Sequence, residues 1–330
     1  MNHRRRLLLA LGLGTFATPL AAFAQQQGRI RRIAYLDVGS RQSTVDAGRF
    51  AALMQGLREF GYVEGRDFIL EARFADGNAD LVGGLAAELV RQNPDLILTL
   101  GSAASHAAQR KTATIPIVVI SSPDPVSEGF ATSLARPGGN ITGMSNGADD
   151  TVQKLVELLM VAAPKLKRIA VLTNPANLAH PPLLLRLQTA SGQASKQILT
   201  VNMRTPEEIE RGFAAMGRDH VDALVILADA MLFQQRTQIA GLALKHRLPS
   251  IYALSGYAEA GGLMSYGADN TDNFRRSAIF VDKILKGAKP GDIPFEQPTR
   301  YYLVINRKTA STLGIKPTNE LLGRADKVIE

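Results

Sequence analysis

The sequence predicts an α/β protein of two Rossmann-like lobes with parallel sheets, joined by a multi-stranded hinge. Three observations predict it. Strand-like and helix-like stretches alternate from residue 30 onward, the pattern that writes a parallel sheet with crossover helices. The first half is echoed in the second: Arg32-Ile33-Ala34-Tyr35-Leu36 is answered by Arg168-Ile169-Ala170-Val171-Leu172, Asp95-Leu96-Ile97-Leu98 by Asp222-Ala223-Leu224-Val225, and Ile115-Pro116-Ile117-Val118 by Leu248-Pro249-Ser250-Ile251. These offsets far exceed the roughly 20–50 residues of a solenoid repeat, so they mark two similar lobes. Finally, breaker-rich stretches at 136–143 and 286–298 separate the regular segments, as crossings between lobes require.

Element by element, 32–38 is a β-rich run, 47–60 has helical periodicity, 68–74 returns to strand and 81–92 to helix. A buried-type strand follows over 95–100, then a helix over 102–111 and a strand over 117–120 behind Pro116. The stretch Arg136-Pro137-Gly138-Gly139-Asn140-Ile141-Thr142-Gly143 breaks regular structure and then extends, which predicts the last strand of the first lobe and the first crossing. In the second half strands are expected over 169–172, 223–227 and 263–266, and the helix over 272–285 is expected to return to the first lobe. The tail, with a strand over 301–305 and a helix over 307–313, is assigned to the second lobe. The first lobe is therefore 30–145 plus 268–288, and the second 146–267 plus 289–330.

Ahead of both lobes, Arg4, Arg5 and Arg6 precede an apolar run over 7–23 that closes in Ala22-Phe23-Ala24. That is the pattern of a secretory signal peptide, 1–24, cut after Ala24. A membrane span needs about 20 strongly apolar residues, and Gly12, Gly14, Thr15, Thr18 and Pro19 interrupt this run. The arginine cluster also resembles a twin-arginine signal, which leaves the export route open. Without these residues the formal charge falls from +8 to +5. Lys and Arg are otherwise scattered, unlike the clustered charge of nucleic-acid binders, so no nucleic-acid partner is expected. The absence of cysteine excludes disulfides, thiolate metal sites and cysteine nucleophiles, and leaves no thiol for a lipid anchor.

Four stretches carry a resemblance: Gly61-Tyr62-Val63-Glu64-Gly65-Arg66, Leu134-Ala135-Arg136-Pro137-Gly138-Gly139-Asn140, Ala260-Gly261-Gly262-Leu263-Met264-Ser265-Tyr266-Gly267 and Val281-Asp282-Lys283-Ile284-Leu285-Lys286-Gly287-Ala288. In these, and over essentially all of the chain after residue 24, the protein resembles the tryptophan/tyrosine-type ABC transporter substrate-binding proteins, related to the type I periplasmic binding fold. The resemblance implies a monomeric receptor that closes on a small-molecule ligand and presents it to an ABC transporter permease, with no cofactor or metal. Together with the export signal and the missing anchor, it places the protein in the periplasm. An aromatic amino acid is the starting expectation for the ligand.

Ligands of open parallel sheets bind beyond the carboxyl ends of the strands, so the loops there supply the candidate ligand-binding residues. In the first lobe these are Ser40, then Gly101, Ser102 and Ala103, then Ser121 and Asp124. Gly101 and Ser102 open a helix with small side chains, where free N–H groups and the helix dipole favour a carboxylate; equally, Ser102 is a plain capping residue. Asp124, stiffened between Pro123 and Pro125, suits a ligand ammonium or caps the following helix. The second lobe offers Asn174, Asp229, Tyr252 and Tyr266. Asp229 has the same two readings as Asp124, and each tyrosine either covers an apolar ligand or packs in the core.

Rival chemistries are poorly supported. Gly143-Met144-Ser145-Asn146-Gly147 matches the nucleophile elbow of a serine hydrolase, but an elbow needs a strand, a sharp turn and an immediate helix, and this motif is expected in a crossing. Gly12-Leu13-Gly14-Thr15-Phe16-Ala17 imitates a dinucleotide fingerprint but lies in the signal peptide with no strand before it. The histidines are scattered, with no H-E-x-x-H, and His106 reads as a packing or surface residue. A periplasmic sensor subunit of the same fold remains the alternative, since it needs the same closing cleft.

Overall fold

A computed structural model describes residues 29–330 other than 194; the expected signal peptide lies outside the described residues. The first sheet is five parallel strands in the order β2-β1-β3-β4-β5: β1 (Arg31–Asp37), β2 (Phe68–Phe74), β3 (Leu96–Leu100), β4 (Ile117–Ser122) and β5 (Ile141–Ser145). The last three are buried along their whole length, as apolar strands must be when helices cover both faces of a parallel sheet. Those helices are α1 (Arg41–Asp46), α2 (Arg49–Glu59), α3 (Val82–Arg91) and α4 (Gly101–Gln109).

The second lobe begins with α5 (Ala148–Ala162) and continues through β6 (Arg168–Thr173), α6 (His180–Gln193), β7 (Gln197–Asn202), α7 (Glu207–Arg218), β8 (Ala223–Ile226), α8 (Ala230–Gln234), α9 (Arg236–Lys245), β9 (Ser250–Tyr252), α10 (Gly256–Glu259) and β10 (Met264–Gly267). Next comes α11 (Asn270–Leu285), which packs Phe274, Ala278, Val281 and Ile284 against Tyr35, Leu53 and Leu57 of the first lobe. The chain ends in β11 (Tyr302–Asn306), α12 (Arg307–Leu313), α13 (Asn319–Gly323) and β12 (Lys327–Ile329). The second sheet runs β12-β11-β10-β9-β8-β6-β7. Its neighbours are parallel except β10 and β11, which pair antiparallel.

The helix expected over 47–60 is α2, preceded by the short α1, which was not expected; Gly48, at a positive φ of 67°, ends α1 and turns the chain into α2. One expectation is corrected. Residues 289–296, expected with the second lobe, lie on the first. Ile293 and Phe295 enter its core, the Phe295 N–H donates to the Leu134 carbonyl at 2.8 Å, and Thr142 Oγ1 donates to the Ile293 carbonyl at 2.7 Å. Two apolar side chains thus hold this segment to the first sheet, and the chain changes lobe only after Glu296. Crossings therefore follow β5, β10 and Glu296. The outer two run side by side, Met144 bridging Glu296 in β fashion.

Candidate functional site

In the first sheet β2 lies on one side of β1 and β3 on the other; in the second, β7 and β8 flank β6 in the same way. At such a reversal, successive crossovers leave toward opposite faces and a crevice opens at the strand ends. The two crevices face one another. Between them lies a cavity, partly open to solvent, lined by the loops after β1 and β3 from one lobe and after β6 and β8 from the other.

On the first-lobe wall, Asp37 ends β1 as a buried acid. Its Oδ1 accepts from the Gly39 N–H at 2.8 Å, and its Oδ2 from Tyr35 Oη at 2.9 Å and Thr44 Oγ1 at 3.1 Å. Burial raises its pKa, against the opposing pull of the Gly39 N–H and the Arg49 charge. Arg49, at the start of α2, is only 6% exposed, and burial pushes its pKa down. Its guanidinium lies 4.6 Å from the centre of the Phe233 ring, which belongs to the other lobe. Beside it, α4 begins directly at the end of β3 with Leu100 in the capping position, so no side chain caps it. The first-turn residues Gly101, Ser102 and Ala103 border the cavity, where uncapped N–H groups present partial positive charge.

The second-lobe wall is a polar cluster around Asp229. Its Oδ1 caps α8 by accepting from the Leu232 N–H at 3.0 Å. Its Oδ2 accepts from Asn174 Nδ2 at 3.2 Å and Asn177 Nδ2 at 3.0 Å. Both amides are fixed in orientation, because their own oxygens accept from the Ala176 and Ala179 N–H groups. Behind them His180, 2% exposed, accepts from the Asn174 N–H at its Nδ1 (2.9 Å) and donates from Nε2 to the Ala228 carbonyl (3.2 Å). These roles require the neutral ring, and burial lowers its pKa accordingly.

Of the residues expected from the sequence, Gly101, Ser102, Ala103, Ser121, Asn174 and Asp229 border this cavity. Ser121 is held by Asn146, whose Nδ2 donates to its Oγ at 3.1 Å. The other four lie elsewhere. Ser40 caps α1, accepting from the Ser43 N–H. Asp124 turns back to accept from the N–H groups of Val126 and Ser127, so its stiff backbone aims the carboxylate at its own turn. Tyr252 is 0% exposed and stacks on Tyr257 at 4.4 Å. Half-buried Tyr266 packs beside Tyr301. Tyr252 ends β9 and Tyr266 is the last residue but one of β10, but both strands stand away from the reversal at β6.

Sequence reasoning missed Asp37, Thr44, Arg49, Asn146, Asn177, Phe233 and Asn270, all of which line the cavity. An acid closing an apolar strand was a usable signal for Asp37. Arg49 had none, since its burial follows from long-range packing against Phe233 of the other lobe and Phe274 of α11.

Ser145 sits closer to an elbow than expected, since β5 ends there and α5 begins at Ala148. Its hydroxyl is nevertheless buried in its own turn, donating to the Pro123 carbonyl at 3.4 Å and accepting from the Gly147 N–H at 3.0 Å. Neither partner is a general base. Among the described residues no group of three His, Asp or Glu is placed to hold a metal ion, and no helix is long and apolar enough to cross a membrane.

Two lobes of parallel sheet around a cavity at their strand ends, polar on both walls, define a small-molecule receptor. The chain belongs to the ABC transporter substrate binding protein family, whose sequence profile matches residues 44–329. It is similar to the curated tyrosine-binding protein of Clostridioides difficile (strain R20291), 24% identical over 264 residues that cover 80% of this chain and 75% of that one. Among solved structures it is similar to a conserved domain protein of Vibrio cholerae O1 biovar El Tor, 26% identical with a TM-score of 0.84, covering 91% of this chain and 100% of that one. It is also similar to a Streptococcus pneumoniae ABC domain in complex with L-Trp, 25% identical with a TM-score of 0.83 and the same coverage. The protein is thus a substrate-binding component of an ABC transporter that takes a small ligand.

Proposed function

We propose that the ligand is a free amino acid, aromatic ones first among them, and that it is held zwitterionically between the lobes. The observation that carries this reading is the opposite polarity of the two cavity walls. The uncapped start of α4 offers a seat for a carboxylate, and Asp229, with Asn174 and Asn177, offers one for an ammonium. Likeness to a tyrosine-binding protein and to an L-Trp complex supports the aromatic class. Such a ligand bridges the lobes and favours closure because it makes both sets of contacts only in the closed state. The receptor works as a monomer in the periplasm, after cleavage of residues 1–24, and hands its cargo to an inner-membrane permease.

The chain contains no tryptophan, so L-tryptophan binding is read from the ligand's own fluorescence without protein background. Saturable binding to residues 25–330, competed by L-tyrosine and accompanied by compaction in small-angle scattering, is expected. No saturable binding of any of the common amino acids would overturn the ligand class.

A further inference from the structure

Behind the ligand cavity lies a second one, and Arg49, Phe233, Leu254 and Asn270 line both. The Phe233 ring stands between them in a built setting. Arg49 of the first lobe lies 4.6 Å from its centre and Arg236 of the second 4.7 Å, and Tyr257 meets it edge-on at 5.7 Å. Arg236 is itself tied across the cleft, its Nη1 3.5 Å from Ser43 Oγ and 3.3 Å from the Phe233 carbonyl. Gly256 leaves the notch the ring occupies: a Cβ there would fall 2.8 Å from Phe233 Cζ. A ring held by two guanidinium groups and an aromatic edge is fixed in place. The cavity behind it is polar, bordered by the Arg300–Asp326 and Lys327–Glu259 ion pairs.

We propose that Phe233 is the specificity-determining partition of this receptor, limiting it to ligands of single amino-acid size by closing off the rear cavity. This rests on the amino-acid reading above. A ligand longer by one residue must displace the ring, breaking its contacts with both arginines, before its tail reaches the hydrated space beyond. Removing the ring joins the two cavities and admits the tail.

The test compares wild type, Phe233→Ala and the milder Phe233→Leu, each checked for fold by circular dichroism, with L-tryptophan, tryptophyl-glycine, glycyl-tryptophan and 5-benzyloxy-tryptophan as fluorescent probes. Wild type is expected to bind L-tryptophan and reject the three longer probes. At least one substitution is expected to narrow that preference by roughly tenfold or more, the scale of a lost pocket wall, for the probe whose extended end faces residue 233. Unchanged preference in folded variants that still bind L-tryptophan would overturn the proposal. If wild type binds no amino acid, the ligand class fails separately. The partition is then decided by crystal structures of Phe233→Ala: one joined cavity upholds it, and Arg49 or Leu254 refilling the gap overturns it.

Discussion

Replacing Asp229 with Asn removes one charge and almost no volume, which makes it a sharp probe of the second-lobe wall. The new amide keeps an oxygen where Oδ1 caps α8 and puts an NH₂ where Oδ2 accepts from Asn174 Nδ2 and Asn177 Nδ2 at 3.2 and 3.0 Å. Neither neighbour can turn to help, because each amide oxygen is already committed to a backbone N–H. Asn177 Nδ2 then faces a donor, whereas Asn174 Nδ2 keeps an acceptor in the Oδ1 position at 3.3 Å. A buried donor left without an acceptor costs about 1–3 kcal/mol, so the substitution is expected to cost about 2 kcal/mol, or roughly 4–8 °C in Tm at two to four degrees per kcal/mol. L-Tryptophan binding should fall as well, because the carboxylate opposite its ammonium is gone. Thermal denaturation with and without L-tryptophan reads both effects. A variant as stable as wild type would show that the two asparagines are free to reorient, and unchanged affinity would remove Asp229 from the ligand site.

Two further outcomes follow from buried groups. His180 is held neutral, its pKa below the ordinary 6.5, so the unfolded chain takes up its proton at higher pH than the native one. Its contribution is full above about pH 6.5 and is lost as the pH falls toward the depressed native value; Tm should drop across this window, and His180→Gln should flatten the slope. Half-buried His106, shifted the same way, supplies a residual slope, and identical profiles for variant and wild type would contradict the assignment. Tyr252 buries a hydroxyl with no hydrogen-bond partner, so Tyr252→Phe should leave Tm unchanged or raised and L-tryptophan affinity unchanged, whereas weakened binding would return the ring to the cleft.

How much of this was legible in the sequence depended on where the information resides. The strands were readable because parallel strands buried on both faces must be near-continuous apolar runs, as 96–98 and 117–120 are. The second half of the chain was readable because it echoes the first. Which strand ends form the site was not, since every strand of a parallel sheet ends in a plausible loop. Only the order β2-β1-β3 and β7-β6-β8 selects the loops beside a reversal, and sheet order is a property of long-range pairing. Asn174 and Asp229 follow strands beside the reversal, whereas Tyr252 ends β9 inside the core and half-buried Tyr266 near the end of β10 stands away from the cleft. Arg49 illustrates another limit: on a helix taken alone it reads as a solvated side chain, and only the aromatic rings of Phe233 and Phe274, distant in sequence, bury it.

The same arrangement bears on what closes the cleft. The cross-cleft contacts are a few side chains, Arg49 against Phe233, Arg236 toward Ser43, Gln234 beside Gly77 and Ala230 against the edge of the first-lobe core, while each lobe otherwise keeps its own apolar core. An exposed cation–aromatic contact contributes about 0.5–1 kcal/mol, and about 2 when desolvated. A weak hydrogen bond at 3.5 Å adds little. Lobe contacts of that size leave the empty receptor able to open, so the ligand must supply most of the bias toward closure through its own two-sided contacts. A receptor built this way reports occupancy through its shape, which is what a permease must read before it opens. Joining cysteines at positions 43 and 236 with a bifunctional thiol reagent should therefore trap the closed form much faster with L-tryptophan than without it, and equal rates would mean the lobes close on their own.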